Sequence, residues 1–280
     1  MSFWMRSGML QVGSYQYDLD DLVFDFEVPF EDSEQLMVAK INIYNLSENT
    51  RNSIERNQPI IINAGYEDDI GVVFVGKVSG KSSKHQGTEW ITTITATEAM
   101  EEWLSRKVNK TYAKGQDAES IVKDLLNIFG VEISKTELKE NKVYQGGKVC
   151  DGSVRDLLKE IITSDCKSTF LVRHGQIIIR NPDEGTNMGV LLSPKTGLIY
   201  TGEDTDKTAI IPPQDTQKTS EELETKLIKR KCFLNYRIAP GDVVKIEDSS
   251  LNGDYIVKKG IHKGNRKGGD WVTEIEVIPL

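Results

Sequence analysis

The chain has 280 residues, with 43 acids against 35 lysines and arginines and a net charge of −8. That length holds two domains with room for a third small module, and the acidic balance argues against general nucleic-acid binding, which needs a basic face to displace counterions. No apolar run reaches the length of a membrane span, and Met1 to Arg6 lacks the build of a signal peptide.

The first hundred residues read as strands. Met9 to Tyr17 alternates loosely and Leu22 to Val28 cleanly, and Ala39 to Tyr44 places Ala39, Ile41 and Ile43 on one face. Ser47 is an N-cap for a short helix through Arg56, with Ile54 turned inward. Pro59 opens a strand to Tyr66, Glu67-Asp68-Asp69 is a turn, and Val72–Ser79 with Trp90–Thr97 form a hairpin around a polar tip, Gly80 to Gly87.

After Lys114 the period becomes helical. Asp117 caps a helix that buries Ile121, Val122, Leu125, Leu126 and Phe129, and Gly130 suits its left-handed end. A second helix starts at Ser153, with Asp156 completing a capping box and Val154, Leu157, Leu158, Ile161 and Ile162 as its apolar stripe. Phe170-Leu171-Val172 and Ile177-Ile178-Ile179 flank a small hairpin turn, Arg173 to Gln176. Pro182 to Asn187 reads as a linker, Leu191 to Leu198 as extended chain, and the polar Tyr200 to Glu222 as a long exposed loop. Leu223–Leu234, Val243–Glu247, Gly253–Lys263 and Asp270–Ile278 supply the last strands.

One pattern occurs twice. Pro59-Ile60-Ile61-Ile62, Gly76-Lys77-Val78 and Glu89-Trp90-Ile91-Thr92-Thr93-Ile94 correspond to Pro240 to Val244, Lys258 to Ile261, and Asp270-Trp271-Val272-Thr273-Glu274-Ile275. The proline-to-tryptophan separation is the same in both (90 − 59 = 271 − 240). The period far exceeds that of a solenoid, so the pattern implies a duplicated β domain. Equivalent places in two copies also give Trp90 and Trp271 a packing role ahead of a sugar-stacking one.

The chain is sparse in chemistry. It has no H-E-x-x-H, G-x-S-x-G, G-x-G-x-x-G or P-loop. His85, His174 and His262 fall in predicted hairpin loops or at strand ends, none at metal-ligand spacing from another His or Cys. Cys150, Cys166 and Cys232 include no C-x-x-C pair and read as reduced thiols. Cys166 and His174 are near in sequence, but a buried apolar cysteine is the simpler reading. Asp68-Asp69 and Glu101-Glu102 are better taken as turn and surface acids than as glycosidase carboxylates. No catalytic, cofactor or metal residue is assigned.

Two basic hairpin tips remain as candidate protein contacts: Lys81, Lys84 and His85 beside Lys77 in the first copy, and Lys263, Arg266 and Lys267 in the second. Matching charge on duplicated tips suggests a shared docking role. The solvated hairpin tip is the plainer alternative.

The order Ile41-Asn42-Ile43-Tyr44-Asn45-Leu46-Ser47-Glu48-Asn49-Thr50-Arg51, then Ile60 to Tyr66, then Phe74 to Val78 resembles the first barrel of phage baseplate hub proteins. Leu192 to Leu198, Cys232 to Asp242 and Leu251 to Tyr255 are similar to parts of that family's second barrel. The resemblance implies a mainly β fold with an α+β insertion: a tube-like barrel over 1–110, a small module over 111–187 and a second barrel over 188–280 carrying the loop 200–222. It further implies a homotrimeric, pseudo-sixfold ring. Such a ring joins the hexameric tail tube protein to a trimeric central spike, with tape-measure and baseplate wedge proteins as further neighbours and DNA passing transiently through the lumen. The place would be the virion baseplate, assembled in the bacterial cytoplasm, without enzymatic activity, cofactor, or stable nucleic-acid or membrane binding. Because the sequence stops at Leu280 without a repetitive segment, the spike and any lysin are expected as separate proteins. The competing reading is a cell-wall carbohydrate-binding adhesion module of a tail tip, using Trp90 or Trp271. A wall hydrolase built on the paired acids stands third.

Overall fold

The computed structural model describes residues 5–32, 37–67, 69–98, 106–128, 130, 133–174, 176–199 and 227–280, without the side chain of Asn187. Asp68, Glu101, Glu102, Phe129 and the expected loop Tyr200 to Glu222 lie outside these residues.

The first unit runs β1 (Arg6–Val12), β2 (Tyr15–Asp18), β3 (Phe24–Glu31), β4 (Val38–Tyr44), α1 (Glu48–Ser53), β5 (Pro59–Tyr66), β6 (Asp69–Gln86) and β7 (Glu89–Thr97). Alternation places residues as expected: Ala39, Ile41 and Ile43 of β4 are fully buried, facing Ile60, Ile62 and Ile94 in one cluster. The Oγ of Ser47 accepts from the Thr50 N–H at 3.1 Å and starts α1. That helix buries no residue of its own, and Ile54 just beyond it anchors the segment.

The polar tip expected over Gly80 to Gly87 is instead strand. β6 continues to Gln86 and pairs with β7 to the end, leaving Gly87-Thr88 as a two-residue turn with Gly87 at φ +62°. The ladder does not need apolar side chains: the hydroxyls of Ser83 and Thr92 meet at 3.1 Å across it.

The middle module contains β8 (Lys107–Tyr112), β9 (Gln116–Asp117), α2 (Ala118–Ile128), β10 (Ile133–Thr136), β11 (Val143–Tyr144), β12 (Lys148–Ser153), α3 (Val154–Leu158), a π-helical turn over Lys159–Asp165, β13 (Thr169–Arg173) and β14 (Gln176–Arg180). Asp117 Oδ1 accepts from the Ser120 N–H at 3.0 Å, and Ser153 Oγ from the Asp156 N–H at 3.1 Å, so both expected caps form. Leu125 and Leu126 of α2 pack with Leu158, Ile161 and Ile162 in a core of their own.

The last unit comprises β15 (Thr186–Leu192), β16 (Leu198–Ile199), β17 (Ile228–Phe233), β18 (Asp242–Glu247), β19 (Asn252–Asn265) and β20 (Trp271–Pro279). The expected linker is therefore partly strand, because Thr186 and Asn187 already pair with β18. Strand order in the first unit is β3-β4-β7-β6-β5-β1; in the last it is β16-β17-β20-β19-β18-β15. The same six-strand order thus occurs twice, although β1 meets β5 antiparallel and β15 meets β18 parallel. Each long middle strand carries a bulge, near Ser79 in β6 and near Lys258 in β19. The inward triads agree as well: Thr92, Ile94 and Ala96 are fully buried, as are Thr273, Ile275 and Val277.

The two units share one sheet. The first half of β19 pairs with β18, whereas its second half, Lys259–Asn265, pairs with β3 over Glu31–Asp25. β19 thereby completes a 13-stranded sheet that spans both units.

Candidate interaction surface

Three modules meet around Asp32, at the end of β3. Its carboxylate pairs with Arg180 at the end of β14, in the middle module, and accepts from Lys258 of β19 at 3.1 Å. The Asp32 and Arg180 side chains are only 5% and 2% exposed. Removing either partner would leave the other as an uncompensated buried charge. Gly241 lets Arg180 in: a Cβ there would stand 2.4 Å from Arg180 Nε.

Beside this junction lies a cleft of about 60 Å³, lined by Phe30, Phe74, Glu98, Arg173, His174 and His262 among others. Burial pushes Glu98 up to about 8, although the Arg173 guanidinium pulls the other way. Burial lowers His174 to about 4 and His262 to about 3. Nearby Asp242 is raised to about 6, again by burial, and one of its carboxylate oxygens accepts from the Ala239 N–H at 2.8 Å. At neutral pH the imidazoles are neutral and Arg173 is the cation of the cleft. His262 Nδ1 lies 2.9 Å from Thr273 Oγ1 and its ring 4.7 Å from that of Phe30, which makes it part of the packing.

A second contact zone ties the units together. Arg237 donates twice to Asp69, both at 2.6 Å, and Tyr236 Oη donates to the same carboxylate at 2.9 Å. The Arg237 guanidinium holds Asp69 below the usual carboxylate range. Gly71 is needed here, because a Cβ would fall 2.1 Å from the Tyr236 ring. Trp271 inserts into the first unit's core at 2% exposure, edge-on to Phe26, and its Nε1 donates to the Gly65 carbonyl at 2.9 Å.

The two tryptophans therefore differ. Trp271 is a core residue, which removes it as a sugar platform, whereas Trp90 is 39% exposed. The packing role expected for both holds only for Trp271. The surroundings differ: the Trp271 ring enters the first unit's core, whereas the last unit reaches the hairpin end carrying Trp90 through Lys267, which pairs with the neighbouring Glu89. One face of Trp90 is covered by the Arg51 guanidinium at 4.2 Å, and His85 meets the ring edge-on.

The basic tips also differ in surroundings. In the second copy Lys263 pairs with Glu274 at 2.9 Å and Arg266 with Asp20 at 3.0 Å, while Lys267 pairs with Glu89 and lies over the Tyr44 ring. In the first copy Lys81 donates to the carbonyls of Arg51 at 2.5 Å and Ile54 at 2.8 Å. Lys84 and His85 stand on the exposed strand Lys81–Gln86. Sequence reasoning singled out the charges of this strand but missed its backbone. The outer edge of β6 from Gly80 to Gln86 is paired with no described element. The signal was present as a polar alternation next to a β-branched partner strand.

The cysteines and histidines form no nucleophilic pair. Burial raises the Cys166 thiol and lowers the His174 imidazole, opposite to what a thiolate–imidazolium pair requires. Among the described residues, no three His, Cys, Asp or Glu side chains are grouped to hold a metal ion.

No family model matches this sequence, and no curated protein is similar to it in sequence. Solved structures share its architecture. The 43 kDa tail protein of prophage MuSo2 from Shewanella oneidensis is similar at a TM-score of 0.66 and 10% identity, over 98% of each chain. A tail protein from Neisseria meningitidis MC58 is similar at 0.64 and 10%, over 98% of this chain and 97% of that one. The E. coli c3393 protein, a type VI secretion component described as structurally similar to the T4 bacteriophage tail proteins gp27 and gp5, is similar at 0.61 and 11%, over 97% and 76%. The chain therefore has the fold of phage tail proteins, as the resemblance read from its sequence implied.

Proposed function

We propose that this chain is a structural hub of a phage tail or phage-tail-like particle. Each six-strand unit forms a tube-like barrel wall, and three chains close into a ring with pseudo-sixfold symmetry. One face of the ring seats on the hexameric tail tube and the other holds a trimeric spike. The observation that carries this reading is the repeated six-strand order within one chain: two like units in each of three subunits convert threefold into near-sixfold symmetry by closed heterologous contacts. The nearly full-length match to two tail proteins supports it. The work of such a hub is positioning, and it requires no catalytic group.

The native mass of the purified protein by light scattering across a concentration series, with negative-stain images of the same sample, tests this. A trimer imaged as a ring with a sixfold outline is expected. Monomers alone, both with and without added tube protein, would overturn it.

A further inference from the structure

Arginines that bridge the modules of this chain hold carboxylates: Arg180 holds Asp32, Arg237 holds Asp69 and Arg266 holds Asp20. Arg173 is the exception. It stands at the end of β13, half-buried in the wall of the cleft where the three modules meet, and no hydrogen bond or ion pair joins its guanidinium to a described residue. Glu98 and Asp242 act on it only as charges at a distance, beyond ion-pair reach. Asp242 is bound instead to its own loop, through the Ala239 N–H.

The rest of the cleft suits one small anion. Phe30, Phe74, Leu171 and Pro240 are among its walls, and apolar surroundings strengthen an ion pair formed between them. Its volume of about 60 Å³ admits a few waters or one small group, since each water needs about 10–15 Å³. The imidazoles do not compete as cations: the His174 ring is tied to the Val73 backbone and the His262 ring to that of Ile238, and burial keeps both neutral. Glu98 keeps its proton to about pH 8, so at neutral pH it brings a donor and no negative charge. The turn that presents Arg173 holds His174 at φ +51°, a left-handed conformation that costs energy outside glycine and gathers at ligand sites.

We propose that this cleft binds a single carboxylate group, gripped by the guanidinium fork of Arg173. A carboxylate meets that fork with two parallel hydrogen bonds, as Asp69 meets Arg237. The protonated Glu98 supplies a further donor. The charged and titratable groups around Glu98 are Arg173 and His174 on the β13 turn, His262 of β19, Glu31 of β3 and, beyond the lining, Asp242 of β18. Above about pH 8 Glu98 ionises, repels the ligand and becomes the counter-charge of Arg173, so the site closes. The carboxylate is that of a small acid in solution or of an acidic side chain on a second copy of this chain. The site does not depend on the ring.

The probe is sodium acetate, titrated into the full chain against sodium chloride at equal ionic strength. At neutral pH acetate is expected to shift the melting midpoint saturably. The shift should vanish in Arg173→Gln, and its apparent affinity should fall about tenfold in Arg173→Lys, which keeps the charge and loses the fork. Circular dichroism reports that both variants fold. Glu98→Gln leaves Arg173 in place and should still respond at about pH 9, where the wild type does not. Light scattering of the same samples assigns the source. A wild-type mass that acetate lowers marks an acidic side chain of a second copy as the occupant, and a mass that acetate leaves unchanged marks a small acid. No saturable shift in the wild type, or an equal shift in both Arg173 variants, overturns the site. A wild type that responds equally at neutral pH and at about pH 9 overturns the part given to Glu98.

Discussion

Trp271 and Gly65 are joined across 206 residues by a hydrogen bond from the indole to the carbonyl. The ring fills a gap in the first unit's core, and Tyr66 Oη donates back to the Trp271 carbonyl at 3.3 Å. Trp271→Ala is expected to cost about 3–5 kcal/mol, as large-to-small changes of a buried aromatic do. Trp90→Ala should cost about 1 kcal/mol or less, mainly its contact with Arg51. Urea unfolding of the two variants, followed by circular dichroism, measures the contrast.

Gly241 is constrained twice. Its φ of +83° lies in the left-handed region, and its missing Cβ is the space that Arg180 occupies. Gly241→Ala should therefore destabilise by about 3 kcal/mol, combining backbone strain with displacement of a buried ion pair. Gly268→Ala, at φ +103° with open space around it, should show the strain alone. Comparing the unfolding midpoints of the two variants separates the two causes.

The cleft between the modules gives stability a pH dependence with a defined sign. Burial holds the proton of Glu98 to about pH 8 in the folded protein, against the ordinary glutamate value of 4.5. The folded state binds more protons between those values, so stability falls as pH rises from about 4.5 to 8. His174 and His262 act oppositely, because their lowered values cost stability as pH falls below about 6.5. Glu98→Gln should remove the fall between about pH 4.5 and 8 while leaving the histidine slope, and so gain on the wild type as pH rises through that range. Melting midpoints across that range read this directly.

The strands and caps of this chain were legible because their causes are local. Ala39, Ile41 and Ile43 alternate, and Ser47 and Ser153 precede the helices whose N–H groups they bind. The repeat was legible because Thr92 and Ile94 recur as Thr273 and Ile275 at the same distance from a tryptophan. The far end of β6 was not, since Lys81 to Gln86 are held by a neighbour's ladder without an apolar face. Nor was the pairing of the second basic tip, because Lys267 finds Glu89 only through the fold, 178 residues away. The same holds for Asp32 and Arg180, 148 residues apart. Their types were visible in the sequence, but nothing near either residue announces the other.

The thiols should be silent in the folded protein. Cys150, Cys166 and Cys232 are buried, and burial pushes Cys232 up to about 12. Reaction with an aromatic disulfide reagent at pH 8 should leave all three unmodified until denaturant is added, and then titrate three per chain. Prompt labelling of the native protein would contradict the packing around them.

β19 belongs to both units at once, and this determines how the molecule carries load. The strand is continuous from Asn252 to Asn265, gripped by β18 at one end, by β3 at the other and by β20 along its length. A pull along its axis strains the whole β19–β3 ladder in shear, so its bonds resist together and not one after another as in unzipping. Load applied to one unit would therefore reach the other through a continuous strand.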